Sequence, residues 1–279
     1  MILNSSPYLC LAIFAIAYVL MLVFSKYRPF IALGAAGIFV ISGMLSLENI
    51  IGVIDFNVLL MIAGTMGIVA LFIESKMPEL LADLIMEKVP NVKWAAVAMA
   101  LFAGVISAFV DNVATVLMIA PVALEICKKL KTNPVPFIIA IAVSSNLQGA
   151  ATLVGDTTAI MLGSALDMSF MDFFWYKGRP GMFFAVELGA ALTVLILLLI
   201  FRKEKQPLSL MGKTEVTDIF PSILLIIVVA CLIGASFIPE KPSITNGVIC
   251  MVFCIITVAQ EYWLNRDPAK VKDTVVNID

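Results

Sequence analysis

The chain has 279 residues, of which 62% are hydrophobic and 14% charged, with a net charge of −2 and a mean hydropathy of +1.07. Soluble domains are about half apolar and about a quarter charged, so this composition excludes a soluble protein and predicts an all-α integral membrane protein. The chain has no basic block, which argues against nucleic acid as a partner, and no histidine, a common ligand of zinc and haem. Its five cysteines lack CxxC spacing and indicate neither a disulfide nor a metal site.

Apolar runs predict the membrane spans, because a bilayer core takes about 20 apolar residues in a helix. The first run has neither the basic flank nor the small-residue cleavage site of a signal peptide, which favours a first span instead. The predicted spans are residues 8–24, 30–46, 56–73, 179–201, 219–238 and 244–264.

Polar residues interrupt two apolar segments in the middle of the chain. In 92–126 the sequence SAFVDNVAT separates two arms of roughly 15 residues, about 22 Å each, too short for a crossing. This pattern predicts a re-entrant helical hairpin. In 135–166 a polar Gly/Ser/Thr-rich loop follows a helix that ends near residue 145, which predicts one discontinuous helix. Such irregular backbone must be buried in protein or line a wet cavity.

Two further segments are predicted to lie flat at the membrane surface. Residues 77–89 place apolar and acidic side chains on opposite helix faces, namely Leu80, Leu81, Leu84 and Ile85 against Glu79, Asp83 and Glu87. Residues 168–176 are dense in aromatic rings, which suit the headgroup boundary. The alternative for both is an ordinary loop or a packing helix.

The distribution of basic residues predicts the topology. With the N-terminus outside and the hairpin returning to the side it left, only Lys177, Arg179 and Lys241 of the 18 Lys and Arg residues lie outside. This agrees with the positive-inside rule. A crossing segment at 92–126 would instead place the basic cluster KKLK, 128–131, outside. We therefore expect a multi-pass protein of the cell inner (plasma) membrane.

The two ends of the chain have a similar pattern of apolar spans and turns. Residues 7–55 and 219–279 each contain span, turn and span, and they close on GVID and VNID. The copies start on opposite sides, as in inverted-topology repeats. The chain would then hold a first repeat, 1–201, and a linker with the first two spans of an incomplete second repeat, 202–279. Chance similarity of two apolar pairs is the alternative.

Two motifs carry a family resemblance. SAFVDNVATVLMIAPVALEI, 107–126, and NPVPFIIAIAVSSNLQGAATLVGDTTAIMLG, 133–163, resemble the ion transporter superfamily. The nearest branch is that of arsenite permeases, NhaD-type sodium–proton antiporters and the melanosomal P protein, with citrate and dicarboxylate symporters further off. The resemblance is strongest over 104–163. It implies two inverted repeats, each with a re-entrant hairpin and a broken helix, and a homodimer with an elevator-like transport domain.

The resemblance also locates the binding site and marks two departures from the family pattern. Asp111-Asn112-Val113 stands where carboxylate symporters have the Ser-Asn-Thr tip of the hairpin. Ser145-Asn146 through Gly155-Asp156 stands at the Asn- and Gly-rich break. GDTT, 155–158, replaces the GDPP of the arsenite and P protein group, and Gln148 replaces a glycine. Because both departures lie at the expected substrate surface, the resemblance does not identify the substrate of this chain.

Carboxylates inside a membrane mark functional sites, since each costs at least ~2.5 kcal/mol at a helix centre. Asn112 and Asn146 are expected to lie close enough to share a ligand or a water molecule. Glycines permit close backbone approach, and Na⁺ takes hard oxygen ligands, so Asp111, Asn112, Asn146 and Asp156 are candidate Na⁺ ligands. The alternatives are a proton on a buried aspartate and a helix N-cap at Asp111 or Asp156. The candidate substrate- and ion-binding residues are Asp111, Asn112, Ser145, Asn146, Gly149, Thr152, Gly155, Asp156 and Thr157.

These features predict a secondary active transporter, or its N-terminal half, that moves a small anion or ion coupled to Na⁺ or H⁺ and needs no cofactor. A Na⁺/H⁺ antiporter, an arsenite-type permease working with a separate ATPase and a non-transporting membrane subunit are the alternatives. The chain has no GxxxxGK[ST] loop for ATP-driven pumping of its own. An intramembrane aspartyl protease is disfavoured, because Val110-Asp111 and LVGD, 153–156, lack the Tyr-Asp and Gly-x-Gly-Asp motifs. The remainder of the second repeat is expected in a missing C-terminal half or a partner chain.

Overall fold

The computed structural model describes residues 7–45, 50–130, 132–204, 206–207, 214–216, 218–238 and 240–265. The chain divides into two compact units, residues 1–55 and residues 56–279. The described residues are predominantly helical, which confirms the predicted all-α membrane fold.

The first unit contains two helices joined by a tight turn. Helix α1, Pro7–Val23, is followed by a 3₁₀ helix, Ser25–Tyr27, and by α2, Arg28–Ile41. The chain bends by 119° between α1 and the stretch that follows it. Arg28 donates a hydrogen bond to the carbonyl of Met21 across this turn, at 3.2 Å. A short helix, α3, Ile50–Val53, precedes the end of the unit.

The second unit holds the interrupted segments. Its described helices are α4 Phe56–Glu74, α5 Met77–Met86, α6 Val92–Ser107, α7 Asn112–Leu130, α8 Val135–Gly149, α9 Thr157–Ala165, α10 Met182–Ile200, α11 Phe220–Ser236 and α12 Thr245–Asn265. Among the described helices, α4, α10 and α12 are long and apolar enough to cross a membrane, and α1 with α2 forms one bent pair that passes the same test. The shorter apolar helices are α6, α8 and α11. The VNID end of the second predicted copy lies outside the described residues.

The two arms of the predicted hairpin are α6 and α7, separated at residues 108–111. Val92, where α6 begins, belongs to the same hydrophobic cluster as Ile126 near the end of α7. Phe137 at the start of α8 joins this cluster and meets Phe201 edge to face at 5.0 Å between ring centroids. The outer ends of both arms therefore contribute to one core, as an antiparallel pair requires. Their return to one side of the membrane stays a prediction.

Helix α5 corrects one prediction from the sequence. Asp83 was predicted on a polar face with Glu79 and Glu87, but only 8% of Asp83 is exposed. Its Oδ2 accepts hydrogen bonds from the backbone N–H (2.9 Å) and the hydroxyl (2.6 Å) of Thr214. A buried carboxylate needs such partners, and they come from a segment 131 residues away that helical periodicity cannot reveal.

Part of the aromatic segment 168–176 packs in the core, while Trp175 is exposed, and its position at a membrane surface stays a prediction. Phe170 and Phe173 are buried in the core that also contains Leu153 and Leu232. A 3₁₀ helix, Phe170–Phe173, is followed by a two-stranded antiparallel hairpin, β1 Trp175–Tyr176 and β2 Arg179–Pro180. The two residues of its turn, Lys177 and Gly178, have φ of 49° and 78°. Positive φ at both positions fits a tight two-residue hairpin.

Candidate functional site

The tip of the hairpin meets the loop of the broken helix. Asn112 begins α7, and its amide Nδ2 donates a hydrogen bond to Asn146 Oδ1 at 2.5 Å. On the neighbouring residue of α8, the Ser145 hydroxyl donates to the carbonyl of Asn112 at 3.0 Å. The prediction that the two polar breaks converge in space is thereby confirmed.

Two buried hydroxyls hold the end of α6 against the same elements. Ser107 donates to the carbonyl of Ser145 at 2.9 Å, and Thr152, in the loop, donates to the carbonyl of Ala108. Both donor side chains are fully buried. The last carbonyls of a helix have no partners within the helix. The loop therefore satisfies the carbonyl of Ala108 at the hairpin tip.

Two glycines allow the backbones to approach closely. A Cβ added to Gly155 would lie 2.6 Å from the carbonyl oxygen of Gly149 and within 2.8 Å of those of Ser107 and Ala108. A Cβ added to Gly149 would lie 3.2 Å from Asp156 Cβ. No side chain fits at Gly155 without moving backbone, so the contact between tip and loop depends on that glycine.

Beside this contact lies a small cavity between α4, α9 and the loop of the broken helix, with Asp111 of the hairpin tip at its wall. Its volume is about 10 Å³, close to the least space that holds one water molecule. Asp111, Asp156, Thr157 and Thr65 contribute its polar groups, and the other lining residues are Ile62, Met66, Val69, Val154 and Ile160. Sequence analysis missed Thr65, although its position after a glycine in an apolar span is an available signal. No Lys or Arg of the described chain lines this cavity.

The carboxylate of Asp111 caps helix α7. Its Oδ2 accepts hydrogen bonds from the backbone N–H groups of Val113 at 3.0 Å and Ala114 at 3.1 Å. A negative charge at this position also interacts favourably with the helix dipole. The capping alternative is therefore realised at Asp111, and the same side chain faces the cavity.

Asp156 precedes α9 but does not cap it, because its side chain accepts no hydrogen bond from the backbone of that helix. Its carboxylate accepts instead from the hydroxyls of Thr157, at 3.3 Å, and Thr158, at 2.8 Å. The capping interpretation is wrong for this residue. The two hydroxyl donors satisfy the carboxylate of Asp156 only in part, and this carboxylate lies at the cavity wall.

The predicted site residues divide into two groups. Those that line the cavity are Asp111, Asp156 and Thr157. Those that build the contact between tip and loop are Asn112, Ser145, Asn146, Gly149, Thr152 and Gly155. Within the second group Asn146 is exposed, whereas Ser145, Gly149, Thr152 and Gly155 are buried.

The polar side chains that line the cavity present only oxygen atoms. The described residues contain no group of three or more His, Cys, Asp or Glu side chains able to hold a metal ion. The cavity offers two carboxylates and threonine hydroxyls, which are oxygen ligands. Proton binding by a carboxylate would neutralise the same charge.

Broken helices that meet in an apolar bundle, with carboxylates beside the break, are typical of membrane transport proteins. The family model for citrate transporters, CitMHS, matches residues 13–262. The chain belongs to the citrate transporter family.

Individual relatives agree with this assignment. An uncharacterized transporter of Mycobacterium tuberculosis is 31% identical over 170 residues, which cover 59% of this chain and 40% of that protein. The mouse P protein is 30% identical over 200 residues, covering 70% of this chain and 24% of that protein. The 46 kDa membrane protein of Mycobacterium leprae is 52% identical over 67 residues, covering 24% of this chain and 16% of that protein. The chain thus spans well under half the length of these relatives. No solved structure gives a significant match.

Proposed function

We propose that the chain forms part of a secondary active transporter that moves a small anion, with Na⁺ or H⁺ as the coupling ion. This proposal rests on the observation that Asp111 and Asp156 face one cavity whose described lining includes no basic side chain. The family match supports transport as the activity.

The charge of the cavity supports coupling to a cation. Two carboxylates in a bundle of low dielectric repel an incoming anion, because unit charges interact far more strongly there than in water. Na⁺ bound between them, or a proton on one of them, removes this repulsion. An anion would then enter only together with the cation, which makes the coupling obligatory.

The residues take different roles in this proposal. Asp111 and Asp156 bind the coupling ion, and Thr157 and Thr65 add hydroxyl ligands to the cavity. Asn112 joins the hairpin tip to α8 and presents its amide group at the start of α7. The N-terminus of α9 has no side-chain cap, and its partial positive charge suits an anion, whereas Asp111 occupies the corresponding end of α7.

The family description favours a small carboxylate such as citrate as the anion. We propose further that the site is completed by a second repeat, from the rest of the protein or from a partner chain, and that the transporter works as a homodimer. The second repeat agrees with the share of each relative that the chain covers, 40% and 24%.

An antiporter that exchanges Na⁺ for H⁺ is the second candidate. The acidic cavity without described basic residues favours it, because a site for cations alone needs no compensating positive charge. The two candidates differ in whether an anion crosses the membrane with the cation.

The test is uptake by the full-length transporter in proteoliposomes, with radiolabelled citrate and an imposed Na⁺ or pH gradient. We expect citrate to accumulate only with the gradient, and Asp156→Asn to remove the gradient dependence. Glu240→Gln, a change at an exposed acid in the loop between α11 and α12, is the matched control and should behave as wild type. Proton movement driven by Na⁺ without citrate uptake would instead establish the antiporter.

A further inference from the structure

The helices of the second unit form two groups, each with its own hydrophobic core. Helices α5, α6, α7, α8 and α10 share one core and are called the hairpin group here. Helices α4, α9, α11 and α12 contribute to the other core and are called the α4 group. A smaller cluster joins Val110 of the hairpin tip to Phe72 of α4. The acidic cavity lies where the groups meet, because its wall combines Thr65 of α4 with Asp111 of the tip.

The linker between α10 and α11, residues 204–218, is docked on the outer end of the hairpin group. The structure describes 204, 206–207, 214–216 and 218 of this linker. The carbonyl of Glu204 accepts a hydrogen bond from the N–H of Lys93 at 3.0 Å, and that of Gln206 accepts from Val92 at 3.1 Å. The first N–H groups of a helix have no partner within it. Val92 is fully buried, so the linker carbonyl supplies a partner that water does not.

Two further contacts attach the linker, one to each group. The N–H and the hydroxyl of Thr214 both donate to Oδ2 of Asp83 on α5, in the hairpin group. Four residues later, Asp218 is bound to the α4 group. Its Oδ1 accepts from the N–H of Phe220, the first residue of α11, at 2.9 Å, and its Oδ2 accepts from Gln260 Nε2 on α12 at 3.3 Å. The linker therefore bridges the two groups between Thr214 and Asp218.

We propose that the contact between Asp83 and Thr214 is a latch that sets the length of the tether between the two groups. An extended chain reaches at most about 3.5 Å per residue. With the latch closed, the four residues from Thr214 to Asp218 reach about 14 Å. With the latch open, the twelve residues from Gln206 to Asp218 reach about 42 Å. One side-chain contact thus decides how far the groups can separate at this end of the bundle.

The latch consists of polar contacts, which suits a contact that opens and closes. The described linker residues belong to none of the hydrophobic clusters, so its release exposes no apolar core of the linker. Hydrogen bonds to a carboxylate are stronger than those between neutral groups, which favours the closed latch. Thr214 is half-buried beside the exposed Glu215, so water can take its place at Asp83 when the latch opens.

The latch bears on transport because the cavity lies between the two groups. Movement of one group against the other changes the walls of this cavity, and the short tether limits that movement. This consequence rests on the proposed function, whereas the two tether lengths follow from the chain itself.

Distances between spin labels on the full-length transporter in lipid nanodiscs test the latch without a transport assay. Labels at Lys128 on α7 and Tyr262 on α12, both exposed, report on one group each in a background without the native cysteines. Thr214→Pro removes both donors to Asp83 and should extend the distribution toward longer distances. Thr214→Ser keeps both donors and should match the wild type. Identical distributions in all three proteins overturn the latch.

A reversible disulfide tests the closed state. Asp83→Cys with Thr214→Cys, in the same background, places two thiols where the side chains now lie 2.6 Å apart, so we expect a crosslink on oxidation. The oxidised protein should lose at least tenfold in the rate of gradient-driven citrate uptake, and dithiothreitol should restore the rate. Failure to crosslink, or uptake unchanged by the crosslink, overturns the latch. If the wild type takes up no citrate while the distances respond to Thr214→Pro, the transport proposal fails alone.

Discussion

Asn112 donates its side-chain amide to the side chain of Asn146, joining the hairpin tip to α8 across 34 residues of sequence. This contact brings together two polar interruptions that would each be unfavourable alone in an apolar bundle. The backbone groups freed at each interruption are satisfied in part by the other one, as Ser145 and Thr152 show. The two breaks thus stabilise one another and build one wall beside the acidic cavity.

The first prediction concerns the close approach at Gly155. Gly155→Ala places a methyl group within 2.8 Å of three backbone oxygens, and overpacking of this kind costs roughly 1–3 kcal/mol. We expect thermal unfolding in detergent at a lower temperature and loss of citrate uptake. Gly234→Ala on α11, where an added Cβ meets nothing within 4 Å, is the control and should unfold at the wild-type temperature or slightly above it, since alanine favours a helix. Equal stability of both variants would contradict the close contact.

The second prediction separates the two roles of Asp111. Asp111→Asn keeps an oxygen for the N–H groups of Val113 and Ala114, so stability should stay near that of wild type while the dependence of uptake on the cation gradient disappears. Asp111→Ala also removes the cap, which costs about 0.5–2 kcal/mol. Thermal unfolding and gradient-driven uptake measure the two effects. If the asparagine variant keeps the ion dependence of the wild type, Asp111 serves only as a helix cap.

The third prediction concerns the re-entrant hairpin. Single cysteines at Lys93 and Lys128, in a background without the native cysteines, should react with an impermeant maleimide from the same side of the membrane. The common hydrophobic cluster of Val92 and Ile126 is the structural reason. A cysteine at Lys241, predicted on the opposite side, is the control. Labelling of the first two positions from opposite sides would rule the hairpin out.

The fourth prediction is a pH dependence in the loop between α11 and α12. Burial lowers the pKa of Lys241, and the carboxylate of Asp172 partly opposes this by favouring the charged amine. The neutral amine is the nucleophile, so acylation of Lys241 should reach half its maximal rate at a lower pH than that of a free lysine derivative. Asp172→Asn should lower this midpoint further. Peptide-level mass spectrometry against pH measures both, and a midpoint that rises in the variant would contradict the assigned cause.

Much of the fold could be predicted from composition and local pattern. The six apolar runs all contain helices, since a long apolar run leaves the backbone no partner in lipid except itself. The interruptions at Asp111 and Asp156 were visible because charged residues are costly among apolar neighbours. The convergence of Asn112 and Asn146, expected together with the resemblance to transporters that have a re-entrant hairpin and a broken helix, is confirmed.

Other features depend on contacts between distant residues, which a local pattern does not encode. Periodicity placed Asp83 on a polar face, whereas Thr214, far along the chain, supplies the hydrogen bonds that allow its burial. The aromatic segment was predicted at the membrane surface, with packing as the alternative, and tertiary contacts bury two of its rings, Phe170 and Phe173, in a core.

The sequence by itself determined the membrane class, the helices and the two polar breaks, because these follow from the free energy of placing each segment in lipid. Only the tertiary structure decided which polar groups pair. In the structure, Asp111 caps a helix and Asp156 does not. Thr65 lines the cavity, and Gln148 donates a hydrogen bond to Glu187. The physical reason is that a hydrogen bond requires about 3 Å between two atoms, and helix packing alone brings residues so distant in sequence to that separation.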